Sequence, residues 1–91
     1  MRNITWDPTK RVANLEKHGL DFEDVFEFQW GSAAIGRART DRFGRLRFKA
    51  IGNFRKGVTV AIFGELGTEA ISIISFRPAN LAEQEVLHDK A

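Results

Sequence analysis

The amino-acid sequence predicts an α+β fold: a small antiparallel β-meander with two helices before it and one after it, in the order β-α-α-β-β-β-β-α. The segment 69–76 is rich in β-branched and aromatic residues and is apolar on both alternating faces, which is typical of a strand inside a sheet. Helix signals lie only before residue 31 and after residue 78. With 91 residues and no Pro- or Gly-rich linker, the chain 1–91 is expected to form one domain.

The first predicted elements are a short strand at 2–6 and a helix that begins at Asp7-Pro8. The Asp carboxylate can cap free N–H groups, and proline at the first helical position loses no needed donor. Gly19 suits the left-handed residue that ends a helix, so this helix is expected to stop at about residue 18. Its inward side is expected to comprise Val12, Ala13 and Leu15.

A second helix is expected almost at once. Asp21, with Asp24 three residues later, forms a variant of the capping box. The helix would end near Trp30, and its apolar stripe is expected to comprise Phe22, Val25 and Phe26.

The rest of the chain alternates between strand and turn patterns. Strands are predicted at 33–39, 45–51, 58–63 and 69–76, with turns or loops at 40–44, 52–57 and 64–67. Strict alternation in the last strand puts Ile71 and Ile73 on one face and Ile74 and Phe76 on the other. A final helix at 79–88 has a weak apolar side, expected to comprise Leu81, Ala82, Val86 and Leu87. Two helices would cover one face of the sheet and leave a basic surface on the other.

Positive charge is concentrated in the middle of the chain. Residues 36–63 hold eight basic side chains and one acidic one, although the net charge of the whole chain is only +2. Such a block of positive charge indicates a surface that binds a polyanion such as a nucleic acid, because phosphate contacts and counterion release supply affinity for it. The alternative is a solvated sheet face that uses arginines for solubility.

Several classes of protein are excluded or disfavoured by composition. Without cysteine there is no disulfide framework or thiolate metal site, which fits a reducing cytosol. No apolar run is long enough for a membrane helix, and the N-terminus lacks a signal-peptide pattern, so a cytoplasmic protein without membrane contact is expected. No His, Asp and Glu cluster has metal-ligand spacing, so no metal or other cofactor is expected.

Motifs along nearly the whole chain give it a resemblance to a known family. The matching pieces are WDP at 6–8, Lys10, Asn14-Leu15, KHG at 17–19, Phe22, Gly44, Arg47-Phe48, Gly52, IISFR at 73–77, Ala79 and Glu83. On these residues the chain resembles the BrnT toxins of bacterial type II toxin–antitoxin pairs. The spacing of the N-terminal motif is specific enough to make a chance match improbable.

The resemblance implies a RelE-like fold and an endoribonuclease that inhibits translation by cleaving RNA. Members of the wider class generally cut without a metal ion, through attack of the 2′-hydroxyl on the adjacent phosphorus. The implied partner is a BrnA-like, DNA-binding antitoxin that neutralises the toxin, and a heterotetramer of the two proteins is an assembly consistent with the family.

Carried over by position, Arg47 and Arg77 match basic positions of the family near its presumed site, and Lys49 emerges on the same strand face as Arg47. These cations are candidates for phosphate binding and stabilisation of the transition state. His18 is a candidate for proton transfer, or else a packing residue at a helix end. For Arg77 the alternative is an ion pair with Glu83 or Glu85. Further RNA contacts are expected from Arg37, Arg39, Arg42, Arg45, Arg55 and Lys56.

The chain departs from its relatives at three places. Ser72 stands where relatives usually carry Arg, and Glu65-Leu66 stands where an Arg is often found. The chain has no tyrosine, and Leu87 lies about where relatives present one. A binding module that keeps the fold but cleaves weakly or not at all is therefore the alternative function.

Overall fold

A computed structural model describes residues 3–90 and forms a five-stranded sheet in the order β1-β5-β4-β3-β2. The elements are β1 Asn3–Trp6, α1 Pro8–His18, 3₁₀ helices Phe22–Phe26 and Trp30–Ser32, β2 Ala34–Arg37, β3 Phe48–Phe54, β4 Gly57–Leu66, β5 Ala70–Pro78 and α2 Leu81–Lys90. The predicted α+β class is confirmed. The predicted start of the first strand at Arg2 lies outside the described residues.

The sheet is mixed, which corrects the expectation of a purely antiparallel meander. Strands β2 to β5 are antiparallel neighbours as predicted, but β1 runs parallel to β5, with Asn3 opposite Ala70 and Trp6 opposite Ile73. Strand β5 therefore has neighbours on both sides, as its apolar pattern predicted. The parallel pairing carries the chain from the end of β1 into α1, which lies beside β5.

Helix α1 begins and ends where its capping signals predict. The Asp7 carboxylate accepts a hydrogen bond from the Thr9 N–H at 2.8 Å, and Gly19 is left-handed at φ 72°. The expected apolar inward side is wrong, however: Val12 is 58% exposed and Leu15 46%. The buried residue of α1 is Asn14.

Asn14 is buried because it completes the hydrogen bonding of β5 beyond the end of β1. Its Nδ2 donates to the Phe76 carbonyl at 2.8 Å, and its Oδ1 accepts from the Phe76 N–H at 3.0 Å. Nδ2 also donates to the Leu20 carbonyl at 2.9 Å. One carboxamide thus pairs with the backbone as a neighbouring strand would, and this contact decides which side of α1 faces the sheet.

The second predicted helix is a 3₁₀ helix, Phe22–Phe26, capped by the Asp21 side chain at the Glu23 N–H. A 3₁₀ helix has three residues per turn, so the buried spacing is Phe22, Val25 and then Phe28. Phe26, predicted to lie in the stripe, is instead 63% exposed. Its ring still lies edge-to-face with Trp6, at 6.2 Å between centroids.

The core lies between one face of the sheet and the two 3₁₀ helices. A bulge in β5 sets its composition: Ile62 pairs with Ser75 and Phe63 with Ile73, which leaves Ile74 as the extra residue. Ile71, Ile73 and Phe76 consequently all point into the core, and Ile74 points away from it. Strict alternation had placed Phe76 with Ile74 on the opposite face, and that expectation is wrong.

Strand β3 begins and ends later than predicted, and the expected loop at 52–57 is wrong. Gly52 lies within the strand, where a Cβ would approach the Phe28 ring to 2.7 Å. The turn between β3 and β4 consists of two residues, Arg55 and Lys56, with Arg55 at φ 52°. Glycine at 52 therefore marks close packing rather than a chain reversal.

The second face of the sheet is covered in part by α2, which contacts β3 and β2. Ile51 and Val60 are cross-strand neighbours on this face, and both are buried. The face that was expected to display the basic surface is therefore not left open, because α2 lies on part of it. The expected apolar side of α2 is wrong: Leu81 is 77% exposed, Ala82 and Val86 are also exposed, and the buried residue is Glu83.

Within residues 3–90, no helix has both the length and the apolar character needed to cross a membrane.

Candidate active site

A cleft lies on the second face of the sheet, between α1 and the loop that leads into β3. It consists of two depressions of about 420 and 400 Å³, and three residues line both of them: Lys10, Arg47 and Ile74. The first depression is bordered also by the turn 41–45 and by Ser72. The second is bordered also by Asn14, Lys17, His18 and Ser75.

Arg47 occupies the middle of this cleft. It precedes β3, where its carbonyl accepts a hydrogen bond from the Ala38 N–H at 2.9 Å. Its guanidinium group is 4.0 Å from Asp41 Oδ2, at the limit of an ion pair, and the side chain is 30% exposed. The guanidinium group therefore retains donors for an incoming anion, and guanidinium geometry suits a phosphate.

Two lysines of α1 were not among the predicted site residues, yet they line the cleft. Lys10 and Lys17 are seven residues apart with Asn14 between them, so the three share one face of the helix. Both lysines belong to the motifs that gave the family resemblance. Attention to the polar face of α1, in place of its apolar one, would have found them.

His18, the last residue of α1, lines the second depression beside Lys17. Partial burial lowers the pKa of His18, and the charges of Lys17 and Arg77 lower it further. The neutral imidazole, which can accept a proton, is therefore favoured. The structure brings His18 together with Arg47 at one depression, a proximity that the sequence alone could not establish.

Lys49 and Arg77, also predicted for the site, meet on the second face at the carboxylate of Glu83. Arg77 binds Glu83 through two hydrogen bonds of 2.8 Å, and Lys49 Nζ lies 2.5 Å from Glu83 Oε2. The Arg77 guanidinium, followed by Lys49 and the Asn80 N–H, holds the pKa of Glu83 well below its usual range. The Arg77–Glu83 ion pair is the structural alternative that the sequence had left open.

Glu83 also fixes the start of α2. Its N–H donates to Asn80 Oδ1 at 2.8 Å, and its Oε1 accepts from the Asn80 N–H at 2.9 Å. This reciprocal pair is a capping box. The same carboxylate thus holds α2 in place and balances two cations of the second face.

The remaining predicted RNA-contacting residues divide between the two ends of β3. Arg45 lines the cleft and binds Asp41 at 2.7 Å, and Arg37, Arg39 and Arg42 are exposed on β2 and the following loop. Arg55 and Lys56 lie at the far end of β3, roughly 25 Å from Arg47 at about 3.3 Å per residue. Arg55 there binds Glu27 at 3.0 Å and Asp24 at 3.4 Å.

The residues that depart from the family pattern line the same cleft. Ser72, Glu65 and Leu66 border the first depression, so a serine and a carboxylate lie at the positions where the family resemblance led us to expect arginines. Leu87 is half-buried on α2. Among the residues that the structure describes, no three His, Asp or Glu side chains come together as a metal site.

Comparison with known proteins agrees with the fold. The family model described as "Ribonuclease toxin, BrnT, of type II toxin-antitoxin system" matches residues 6–83. The fold is similar to the 1.1 Å crystal structure of the Brucella abortus ribonuclease toxin BrnT, with a TM-score of 0.74 and 41% identity over 88% of this chain and 99% of that one. A comparison with curated protein sequences finds no match.

These matches define the class as the ribonuclease toxins of type II toxin–antitoxin systems, and within that class the chain belongs to the BrnT family. Membership of such a system implies an antitoxin as partner.

Proposed function

We propose that the chain is an endoribonuclease that cleaves RNA without a metal ion and thereby inhibits translation. The observation that carries the proposal is the position of Arg47 between two depressions that also contain Lys10, Lys17 and His18. A cation with free donors beside a neutral imidazole offers charge stabilisation and proton transfer in one cleft.

In the proposed reaction the 2′-hydroxyl of one nucleotide attacks the adjacent phosphorus while His18 accepts its proton. A bond forms between O2′ and phosphorus, and the bond from phosphorus to O5′ breaks. The products are a 2′,3′-cyclic phosphate and a 5′-hydroxyl, whose oxygen takes a proton from the imidazolium or from water. Arg47 and the two lysines of α1 stabilise the charge that grows on the phosphoryl oxygens.

Lys49 and Arg77 have a more limited part in this proposal. Because both are bound to Glu83, much of their charge is already balanced in the free protein. Their contribution is a residual positive potential at the edge of the cleft and the anchoring of α2.

A second candidate is a binding module that retains the cleft but does not turn over RNA. Two observations favour it: Ser72 supplies no charge where relatives carry Arg, and Glu83 balances the charge of Lys49 and Arg77. Such a protein would still bind an antitoxin or a nucleic acid.

For the partner, we propose a BrnA-like, DNA-binding antitoxin that covers the basic surface in the cytoplasm, in a heterotetramer with the toxin. Co-expression followed by affinity purification and native mass spectrometry tests this. Recovery of a stable complex with two copies of each chain is expected. An antitoxin of another fold class would contradict the BrnA-like partner, and another stoichiometry would contradict the heterotetramer.

Incubation of the purified protein with a structured RNA in EDTA tests the proposed activity. We expect the wild type to cleave, Arg47→Ala to lose cleavage, and Arg55→Ala, at the far end of β3, to retain most of it. Arg77→Ala is included with a thermal melt, because its loss also removes the anchor of α2. Intact RNA in the presence of a folded protein that binds its antitoxin would favour the binding module.

A further inference from the structure

The turn 41–45 carries an aromatic ring that the core does not use. Phe43 is 68% exposed, more than any other of the eight phenylalanines. Most of the others contribute to the core or pack against it, and the exposed Phe26 lies against Trp6. An exposed aromatic ring with no packing role is a candidate for contact with a ligand.

Two guanidinium groups lie over the ring of Phe43. Arg42 Cζ is 5.0 Å from the ring centroid and Arg45 Cζ is 5.3 Å from it. Within the described residues Arg42 makes no ion pair, so its charge is available to a ligand. An aromatic ring interleaved with arginines is the combination by which proteins bind unpaired nucleotides: the ring stacks on a base and the cations bind phosphates.

The turn that presents Phe43 is held in one conformation by a single carboxylate. Asp41 Oδ1 accepts from the N–H groups of Phe43 and Arg45, each at 2.9 Å, and Oδ2 binds Arg45 Nε at 2.7 Å. Gly44, at φ 77°, closes the turn. The ring is therefore presented by a preorganised loop, which lowers the entropic cost of binding.

The same turn forms one wall of the cleft. Asp41 and Arg45 line the first depression together with Leu46 and Arg47. A nucleotide stacked on Phe43 would thus lie next to a phosphate held by Arg47, four residues further along the chain.

We propose that Phe43 stacks on an unpaired base of an RNA strand bound in the cleft, with Arg42 moving from the ring face to a flanking phosphate while Arg45 stays bound to Asp41. The proposal rests on the proposed function, since the strand is the substrate of the same cleft. Charge favours RNA over a protein partner: the four cations around the ring and the adjoining depression, Lys10, Arg42, Arg45 and Arg47, outnumber the two carboxylates, Asp41 and Glu65, and Asp41 is bound within the turn.

The test measures binding apart from cleavage. A single-stranded RNA of about ten nucleotides with 2′-fluoro groups has no nucleophile, so fluorescence anisotropy reports affinity alone. Loss of one stacked base corresponds to a reduction from about fivefold to about 150-fold, which is expected for Phe43→Ala. Phe43→Tyr should retain the affinity and Phe43→Leu should lose it, because leucine is apolar but has no π-face. Phe26→Ala, a similarly exposed phenylalanine outside the cleft, should bind as the wild type does.

Unchanged binding by Phe43→Ala, full binding by Phe43→Leu, or no binding by the wild type would each overturn the proposal. So would loss of the antitoxin complex by Phe43→Ala with RNA binding intact, which would identify the ring as a protein contact. The two proposals fail separately. Phe43-dependent binding without cleavage in EDTA contradicts only the nuclease, and cleavage whose KM is unchanged in Phe43→Ala contradicts only the stacking role.

Discussion

The three cations that the sequence nominated for the site differ in how far their charge is already balanced. Arg77 and Lys49 share the carboxylate of Glu83 at 2.8 and 2.5 Å, whereas Arg47 has only a 4.0 Å contact with Asp41. A phosphate arriving in the cleft therefore meets free donors at Arg47. At the other two positions it has to compete with a bound carboxylate.

Replacing Arg47 by alanine should reduce cleavage by about 10²-fold or more, the effect expected when one preorganised donor to a developing oxyanion is removed. Arg47→Lys should recover part of the rate, because it restores the charge without the bidentate geometry. Initial rates on a fluorescent RNA at saturating concentration measure both. A rate for Arg47→Ala within threefold of the wild-type rate would show that Arg47 does not stabilise the transition state.

His18 gives the reaction a pH dependence with a definite sign. Burial and the neighbouring charges of Lys17 and Arg77 lower the pKa of His18 below its ordinary value of 6.5. The neutral base is the active form, so kcat should rise with pH through an apparent pKa below 6.5 and level off above it. His18→Asn should be slower and lose this rise. If the acid limb persists in His18→Asn, another group is the base.

At the scale of elements, the position of α1 depends on one amide. Asn14 bonds to both backbone groups of Phe76 and to the Leu20 carbonyl, so it links α1, the loop after it and β5. This contact also sets the distance between the lysines of α1 and the second face of the sheet. The cleft is thus defined by a buried polar contact.

Asn14→Ala should destabilise the protein by about 2–4 kcal/mol, since it leaves the buried N–H and C=O groups of Phe76 without partners. Glu16→Ala, on the exposed side of the same helix, is the matched control and should change stability by less than about 0.5 kcal/mol. Urea unfolding followed by circular dichroism measures both. Equal stability of the two variants would show that water replaces the amide.

Helix α2 is attached through Glu83, so its docking should depend on pH. The folded-state pKa of Glu83 is depressed, so its contribution to stability is complete above the unfolded pKa and is lost as the pH falls toward the folded value. Glu83→Gln should destabilise the protein at pH 7 by about 1–3 kcal/mol. The difference between the two proteins should narrow below about pH 4.5, the ordinary value for a glutamate.

Thermal melts of both proteins between pH 7 and pH 3 measure this difference. A constant gap across the range would mean that folding does not lower the pKa of Glu83, so that its charge does not hold α2. The control is Glu85→Gln, because Glu85 lies two residues further along the same helix and is exposed. This variant should melt as the wild type does at every pH.

At the scale of the whole molecule, sequence signals predicted the features that depend on neighbours along the chain. Asp7, Pro8 and Gly19 place α1 to the residue, because capping is local. The β5 bulge at Ile74 was not predictable from alternation, because it depends on the register against β4. The exposed apolar side of α1 escaped prediction for a similar reason: a contact 62 residues away at Phe76 decides its orientation.

The candidate site follows the same division. Arg47 and His18 were nominated from the family resemblance, and the structure brings them to one depression. Lys10 and Lys17 were missed because the helix was interpreted from its apolar residues. An ion pair of Arg77 with Glu83 was one of the alternatives from the sequence, but the sharing of that carboxylate with Lys49 depends on the position of α2 on the second face, which the sequence pattern did not contain.

The chemistry of the cleaved ends, determined on RNA incubated in EDTA, shows whether the protein cleaves RNA through the 2′-hydroxyl without a metal ion. Wild-type protein should produce 2′,3′-cyclic phosphates and 5′-hydroxyls, and Arg47→Ala should produce far fewer of them. The 5′-hydroxyl ends can be labelled by a polynucleotide kinase without prior dephosphorylation. Cleavage that requires a divalent metal, or that leaves 5′-phosphates and 3′-hydroxyls, would contradict metal-independent attack by the 2′-hydroxyl.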